Sequence, residues 1–107
     1  MDRKKQLVFK YFDSVFRGYK KHGRRPATMR SPHVLFSFDS VEKNGRTAFE
    51  YDTEEEVIRF DYDDFQTTKN IFGVDESVLT DICKEYVADK LNQPSALNTT
   101  FNLWSLN

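Results

Sequence analysis

The fold is decided by residues 34–62, which read VLFSFDSVEKNGRTAFEYDTEEEVIRFDY. Apolar and polar residues alternate through three runs of this stretch, and a period of two is typical of half-buried β-strands. Asn44-Gly45 separates the first two runs, and a type I′ turn favours these two residue types at its central positions. A four-residue connection, residues 53–56, separates the second run from the third. The stretch therefore predicts a three-stranded antiparallel β-meander.

The lengths of the two connections also predict how the strands pair. A two-residue loop at Asn44-Gly45 fixes the register of the first hairpin. Its predicted pairs are Phe38 with Tyr51, Asp39 with Glu50, and Ser40 with Phe49. The four-residue loop fixes the second hairpin in the same way. Its predicted pairs are Glu50 with Arg59, Tyr51 with Ile58, and Phe49 with Phe60.

These pairs place large rings on one face of the sheet and charges on the other. The aromatic face collects Phe36, Phe38, Phe49, Tyr51, Ile58, Phe60 and Tyr62. The acidic face collects Ser37, Asp39, Glu50, Asp52, Arg59, Asp61 and Asp63. Because aromatic side chains dominate the energetics of cores, we expect the aromatic face to be the floor of the core and the acidic face to meet solvent.

Helical periodicity flanks the meander on both sides. From Lys4 to about Lys21, apolar residues recur at helical spacing, as Val8, Phe12, Val15, Phe16 and Tyr19. After Asp75 a second helix carries Val78, Leu79, Ile82, Cys83, Tyr86, Val87 and Leu91. A short helix or turn is expected around residues 64–72, and a loop with two prolines and three arginines at 22–33.

The predicted fold is thus one α+β domain over residues 1–93. An N-terminal amphipathic helix, the meander and a C-terminal helix follow in that order, with both helices on the aromatic sheet face. Residues 94–107 carry no charged side chain and include Trp104. This tail is interpreted either as a final strand or as a docking segment.

Charge is divided unevenly along the chain. Residues 1–38 hold ten Lys and Arg against two acids, a net charge of +8. Residues 39–107 hold six against fifteen, a net charge of −9, so the total of −1 conceals the division. Such asymmetry between segments suggests a charged partner.

The leading functional hypothesis is a small non-catalytic accessory protein that contacts nucleic acid. A basic helix face beside an arginine-rich loop can follow a phosphate backbone, because phosphate contacts require cations and little shape. The candidate residues are Lys10, Arg17, Lys20, Lys21, Arg24, Arg25 and Arg30. The competing interpretation is a solvated helix face and a solubilising loop.

The alternative hypothesis is a regulator or inhibitor that binds a protein, or a second copy of the chain. Its candidate residues are Asp39, Glu50, Asp52, Asp61, Asp63 and Trp104. An acidic sheet face can receive a basic partner, and Trp is enriched among interface hot spots. The same charges can also serve only to prevent aggregation at the sheet.

Catalytic and metal chemistry find little support in the sequence. Cys83 lies on the apolar stripe of the second helix, and one Cys with His22 and His33 is too few for a typical zinc site. Asp61 and Asp63 can hold Mg²⁺ in principle, but no lysine accompanies them as in common nucleases. We therefore predict no enzyme, metal, cofactor or small-molecule substrate. No apolar run spans a membrane and the single cysteine excludes an internal disulfide, so a cytoplasmic location is expected.

Overall fold

A computed structural model of the protein describes residues 3–21, 34–38, 49–52, 54–90 and 93–104, with side chains for 3–14, 49–52, 54–90 and 93–103. The helices are α1 (Arg3–Lys21), α2 (Tyr62–Phe72) and α3 (Glu76–Lys90), followed by a short 3₁₀ helix, η1 (Pro94–Asn98). The strands are β1 (Val34–Phe38), β2 (Phe49–Asp52), β3 (Val57–Asp61) and β4 (Thr100–Trp104). The α+β class is confirmed. The predicted loop at 22–33 and the turn at Asn44-Gly45 lie outside the described residues.

The sheet corrects the predicted architecture. Its strand order is β1-β2-β3-β4, with β1–β2 and β2–β3 antiparallel but β3–β4 parallel. The predicted antiparallel meander is confirmed as β1-β2-β3, but the parallel strand β4 makes the sheet four-stranded and mixed, so the prediction of a purely antiparallel sheet of three strands is wrong. A parallel neighbour requires a long crossover, and α2, α3 and η1 supply it between β3 and β4.

The two antiparallel registers have different outcomes. Between β2 and β3 the structure pairs Glu50 with Arg59 and Tyr51 with Ile58, as predicted. Between β1 and β2 it pairs Phe38 with Phe49, two residues away from the predicted partner Tyr51. A slip of two residues leaves every side chain on its original face, so the hydrophobic pattern does not distinguish the two registers. The predicted pairs of Asp39 with Glu50 and of Ser40 with Phe49 are also wrong, since the structure pairs Glu50 with Ser37 and Phe49 with Phe38; Asp39 and Ser40 themselves lie outside the described residues.

Helix α2 is longer than the predicted turn and begins at Tyr62, where the sequence predicts the end of a strand. Asp61 is its N-cap, and its carboxylate accepts a hydrogen bond from the Asp64 N–H at 3.1 Å. The helix ends at Gly73, which has a φ of 61° and donates its N–H to the Lys69 carbonyl. Glycine adopts this left-handed conformation without the steric cost of a Cβ.

The core forms where the helices meet the aromatic face. The Phe12 ring of α1 packs against Phe49 at 5.5 Å and Tyr86 at 5.1 Å between centroids. The Phe65 ring of α2 packs against Phe60 at 5.6 Å. Buried residues of α1, α2, α3, β2, β3 and η1 belong to one continuous cluster. The rings therefore fix α1 with one side facing inward, which determines where its cations lie.

Candidate nucleic-acid interface

Helix α1 presents a buried side and a cationic side. Val8 and Phe12 are fully buried, whereas Lys10, which is half a turn from each, is exposed. At 100° per residue, positions seven apart lie close to one line along a helix, so Arg3, Lys10 and Arg17 share one side. The packing of Val8 and Phe12 thus turns Arg3 and Lys10 away from the core, and the helical repeat places the backbone position of Arg17 on the same side.

Two other lysines of α1 anchor the helix to the rest of the fold. Lys4 donates from Nζ to the Gly73 carbonyl at 2.8 Å. Lys5 forms an ion pair with Glu85 of α3, with 3.1 Å between Nζ and Oε1. In contrast, no acid in the described part of the chain pairs with Arg3 or Lys10. The cations of the first half of α1 therefore divide into inward anchors and outward charges.

Four of the predicted nucleic-acid-binding residues lie on α1: Lys10, Arg17, Lys20 and Lys21. For the last three the structure describes the backbone alone. From Lys10 to Lys21 the helix rises about 16 Å, at 1.5 Å per residue. The other three, Arg24, Arg25 and Arg30, lie outside the described residues. The structure thus places Lys10 on the outward side and assigns three more cations to the same helix.

The acidic face of the sheet differs from its prediction. Glu50, Asp52 and Asp61 are only 8%, 6% and 1% exposed, so the expectation that they meet solvent is wrong. Alternation along a strand predicts which face a side chain shares but not whether that face is covered. These three carboxylates do not form an open acidic docking surface.

Each of the three buried acids has an internal partner. Arg59 Nη1 lies 3.3 Å from Glu50 Oε2 and 3.5 Å from Asp52 Oδ2, and Arg59 Nη2 pairs with Glu55. Asp52 Oδ1 also accepts hydrogen bonds from the N–H groups of residues 54 and 55, at 2.9 and 3.1 Å. Asp61 caps α2. These acids stabilise the β2–β3 turn, the sheet and the start of α2.

The remaining candidates for protein binding are scattered. Asp63 is exposed in the first turn of α2 and not on a strand. Trp104 is in β4, where its backbone pairs with that of Asp61. Residues 100–104 therefore form a strand, which was one of the two interpretations of the tail. Asp39 lies outside the described residues. The structure does not assemble the predicted acidic site.

Reactive groups are few in the described ranges. Burial raises the pKa of the Cys83 thiol well above its ordinary value, so the nucleophilic thiolate is disfavoured. Among residues 3–14, 49–52, 54–90 and 93–103, no group of three or more His, Cys, Asp or Glu side chains is arranged to hold a metal ion. His22 and His33 lie outside these ranges.

Sequence reasoning missed a groove between α3 and η1. It has a volume of about 290 Å³ and is lined by Glu85, Ala88, Asp89, Pro94 and Leu97. The sequence contained one signal for this groove: Glu85 and Asp89 are four residues apart, so they share one side of the second predicted helix, and Pro94 follows them. That signal gave no indication that residues 94–98 would turn back alongside the helix.

Comparison with protein-family models, with curated proteins and with solved structures found no match to this chain. Within the described residues, no helix has both the length and the apolar character needed to cross a membrane. The functional argument therefore rests on the geometry and charge of the chain itself.

Proposed function

We propose that this protein is a cytoplasmic, non-catalytic accessory protein that contacts nucleic acid through the cationic side of α1 and the arginines at positions 24, 25 and 30. The observation that carries the proposal is the orientation of α1. Its apolar side is held in the core by Val8 and Phe12, while Lys10 is exposed on the opposite side without an acidic partner among the described residues. A rigid helix with outward cations is suited to phosphate contacts.

The spacing of the cations supports a backbone contact that does not read sequence. Lys10, Arg17 and Lys21 extend over about 16 Å of helix, a length over which duplex DNA presents about ten phosphate charges. Among the described side chains of α1, the rings of Phe9 and Phe12 are buried, and that of Tyr11 is half-buried against Phe72. These rings are engaged in the core, so affinity should depend on charge and vary little with sequence.

The proposal is tested by fluorescence anisotropy with labelled duplex DNA, single-stranded DNA and RNA at low salt. We expect binding to weaken steeply as salt rises, with a log–log slope of about −0.9 for each phosphate contacted on a duplex. The combined variant Lys10→Ala, Arg17→Ala and Lys21→Ala should lower both the affinity and the slope.

The matched control removes cations from other elements. The double variant Lys69→Ala in α2 and Lys84→Ala in α3 removes two positive charges, against three in the test variant, and leaves the cationic side of α1 intact. The control variant should retain most of the affinity. Absence of binding to all three nucleic acids at low salt would refute the proposal, and an equal loss in the control would reduce it to a net-charge effect.

A further inference from the structure

The groove between α3 and η1 combines an apolar floor with carboxylates. Glu85, Ala88 and Asp89 occupy positions i, i+3 and i+4, so they lie on one side of α3. Pro94 and Leu97 form the opposite wall, and Leu97 is 50% exposed. The groove therefore offers apolar contact and negative charge within one small volume.

The groove is held by fixed backbone. The Gln93 N–H donates to the Ala88 carbonyl at 3.0 Å, which joins the end of α3 to the start of η1. Ala96 of η1 is fully buried in the core cluster, so η1 is anchored beneath the groove. Both walls thus belong to packed elements, and an occupant would find the site already formed.

The charge at the groove favours a cation. Asp89 is exposed and has no cationic partner among the described residues, since the neighbouring Lys90 lies 3.6 Å from Asp13 instead. Glu85 binds Lys5 through Oε1. A phosphate would be repelled by these carboxylates, so the groove is not an extension of the nucleic-acid surface proposed on α1.

The size and chemistry together specify the occupant. A volume of about 290 Å³ is at the lower limit for small-molecule pockets, which typically measure about 300–1,000 Å³. Long basic side chains lay an aliphatic stem on apolar surface while keeping the charged head near water. We propose that the groove binds one arginine or lysine side chain of a protein partner, with the stem against Ala88, Pro94 and Leu97 and the cation at Asp89.

The test is NMR titration of the full ¹⁵N-labelled chain with the peptide Ac-Gly-Ser-Arg-Ser-Gly-NH₂. At millimolar peptide we expect saturable shifts of the amides of Ala88, Asp89 and Leu97. The same peptide with neutral citrulline in place of arginine should bind about fivefold more weakly, which corresponds to the upper end for an exposed charge pair. Asp89→Asn should have the same effect on the arginine peptide, and Leu97→Ser should weaken both peptides.

The control variant is Glu76→Gln, which removes an exposed acid about 20 Å away along α3 and should leave binding unchanged. Absence of shifts at the groove, equal binding of the citrulline peptide, or an equal loss with Glu76→Gln would overturn the proposal. Guanidinium chloride that shifts the same amides at equal affinity would also overturn it, because this cation has no aliphatic stem and the groove would then respond to charge alone. None of these results depends on nucleic-acid binding.

Discussion

Arg59 is the cation that allows Glu50 and Asp52 to be buried on the sheet, and Arg59→Met tests this role. Nη1 lies 3.3 Å from the Glu50 carboxylate and 3.5 Å from that of Asp52. Methionine keeps a long flexible stem but removes the guanidinium. The variant therefore leaves two carboxylates in a buried position without their shared counter-charge.

The expected cost follows from this arrangement. Removing one partner of a buried ion pair typically costs about 3–5 kcal/mol. Asp52 would keep its two backbone hydrogen bonds, and the Arg59 side chain is 17% exposed, so solvent screens part of the interaction. We expect the lower end, a loss of about 3 kcal/mol in the free energy of unfolding. That is a large fraction of the about 5–15 kcal/mol typical of domains.

Urea denaturation followed by circular dichroism measures the loss. With an m-value of about 1–3 kcal/mol per molar, the midpoint should fall by about 1–3 M. Glu55→Gln is the matched control: it removes the negative charge that contacts the same guanidinium, but the Glu55 side chain is 61% exposed and the loss of this charge should cost under about 1 kcal/mol. Adding Glu50→Gln to Arg59→Met should restore part of the stability.

A cost of under about 1 kcal/mol for Arg59→Met would refute this reasoning, since it would fall within the range of an exposed ion pair. So would a double variant that is less stable than Arg59→Met alone. Either result would mean that the carboxylates do not depend on Arg59 for their burial.

Three further predictions concern the core, a helix end and the buried thiol. Phe12→Ala should cost about 3–5 kcal/mol in chemical denaturation, because Phe12 is fully buried, whereas Leu7→Ala at an exposed site should cost far less. Gly73→Ala should cost about 1 kcal/mol in the free energy of unfolding, because alanine is strained at a φ of 61°. Steric contact should add nothing, since the atom nearest to an added Cβ is Lys4 Nζ at 3.7 Å. Gly73→Asn should cost less, because asparagine tolerates this conformation better. Burial raises the pKa of Cys83, so its contribution to stability is complete below the unfolded value near 9.0 and is lost as the pH rises through the folded pKa. Between pH 8 and about 10.5 the wild type should therefore lose more stability than Cys83→Ala, and equal losses would contradict the assignment.

The elements that the sequence predicted well are those defined by local contacts. The β2–β3 register follows from a four-residue loop, and one choice of pairs places Glu50 opposite Arg59 and aromatic residues together. Helix α1 follows from apolar spacing alone. The predicted β1–β2 register was wrong, because the predicted and the observed registers differ by two residues and place the same side chains on each face of the sheet. A final strand was one interpretation of the tail, but its parallel pairing with β3 was not predicted, because α2, α3 and η1 separate Val57 from Thr100 and no local signal sets the direction of β4.

The candidate sites also differ in whether local sequence or tertiary packing determines them. The outward position of Lys10 was predictable, since it depends on helical phase relative to Val8 and Phe12. The burial of the acidic face was not, because coverage of a face depends on tertiary packing. A capping signal was nevertheless present: Asp61 directly precedes α2, in the position where a short acid caps a helix. Reading Asp61 as a cap would have removed it from the predicted binding surface.

Part of the opposing charge of the two segments is therefore engaged within the fold. Lys4 and Lys5 are used to hold α1 against Gly73 and Glu85. The acids around Arg59 are satisfied inside the sheet, so they are poor competitors for the cations of α1. Because screening acts mainly on exposed charges, moderate salt should act on α1 and its partner far more than on the Arg59 cluster. A steep loss of nucleic-acid binding with salt, at unchanged stability, is the behaviour that this division of charges requires.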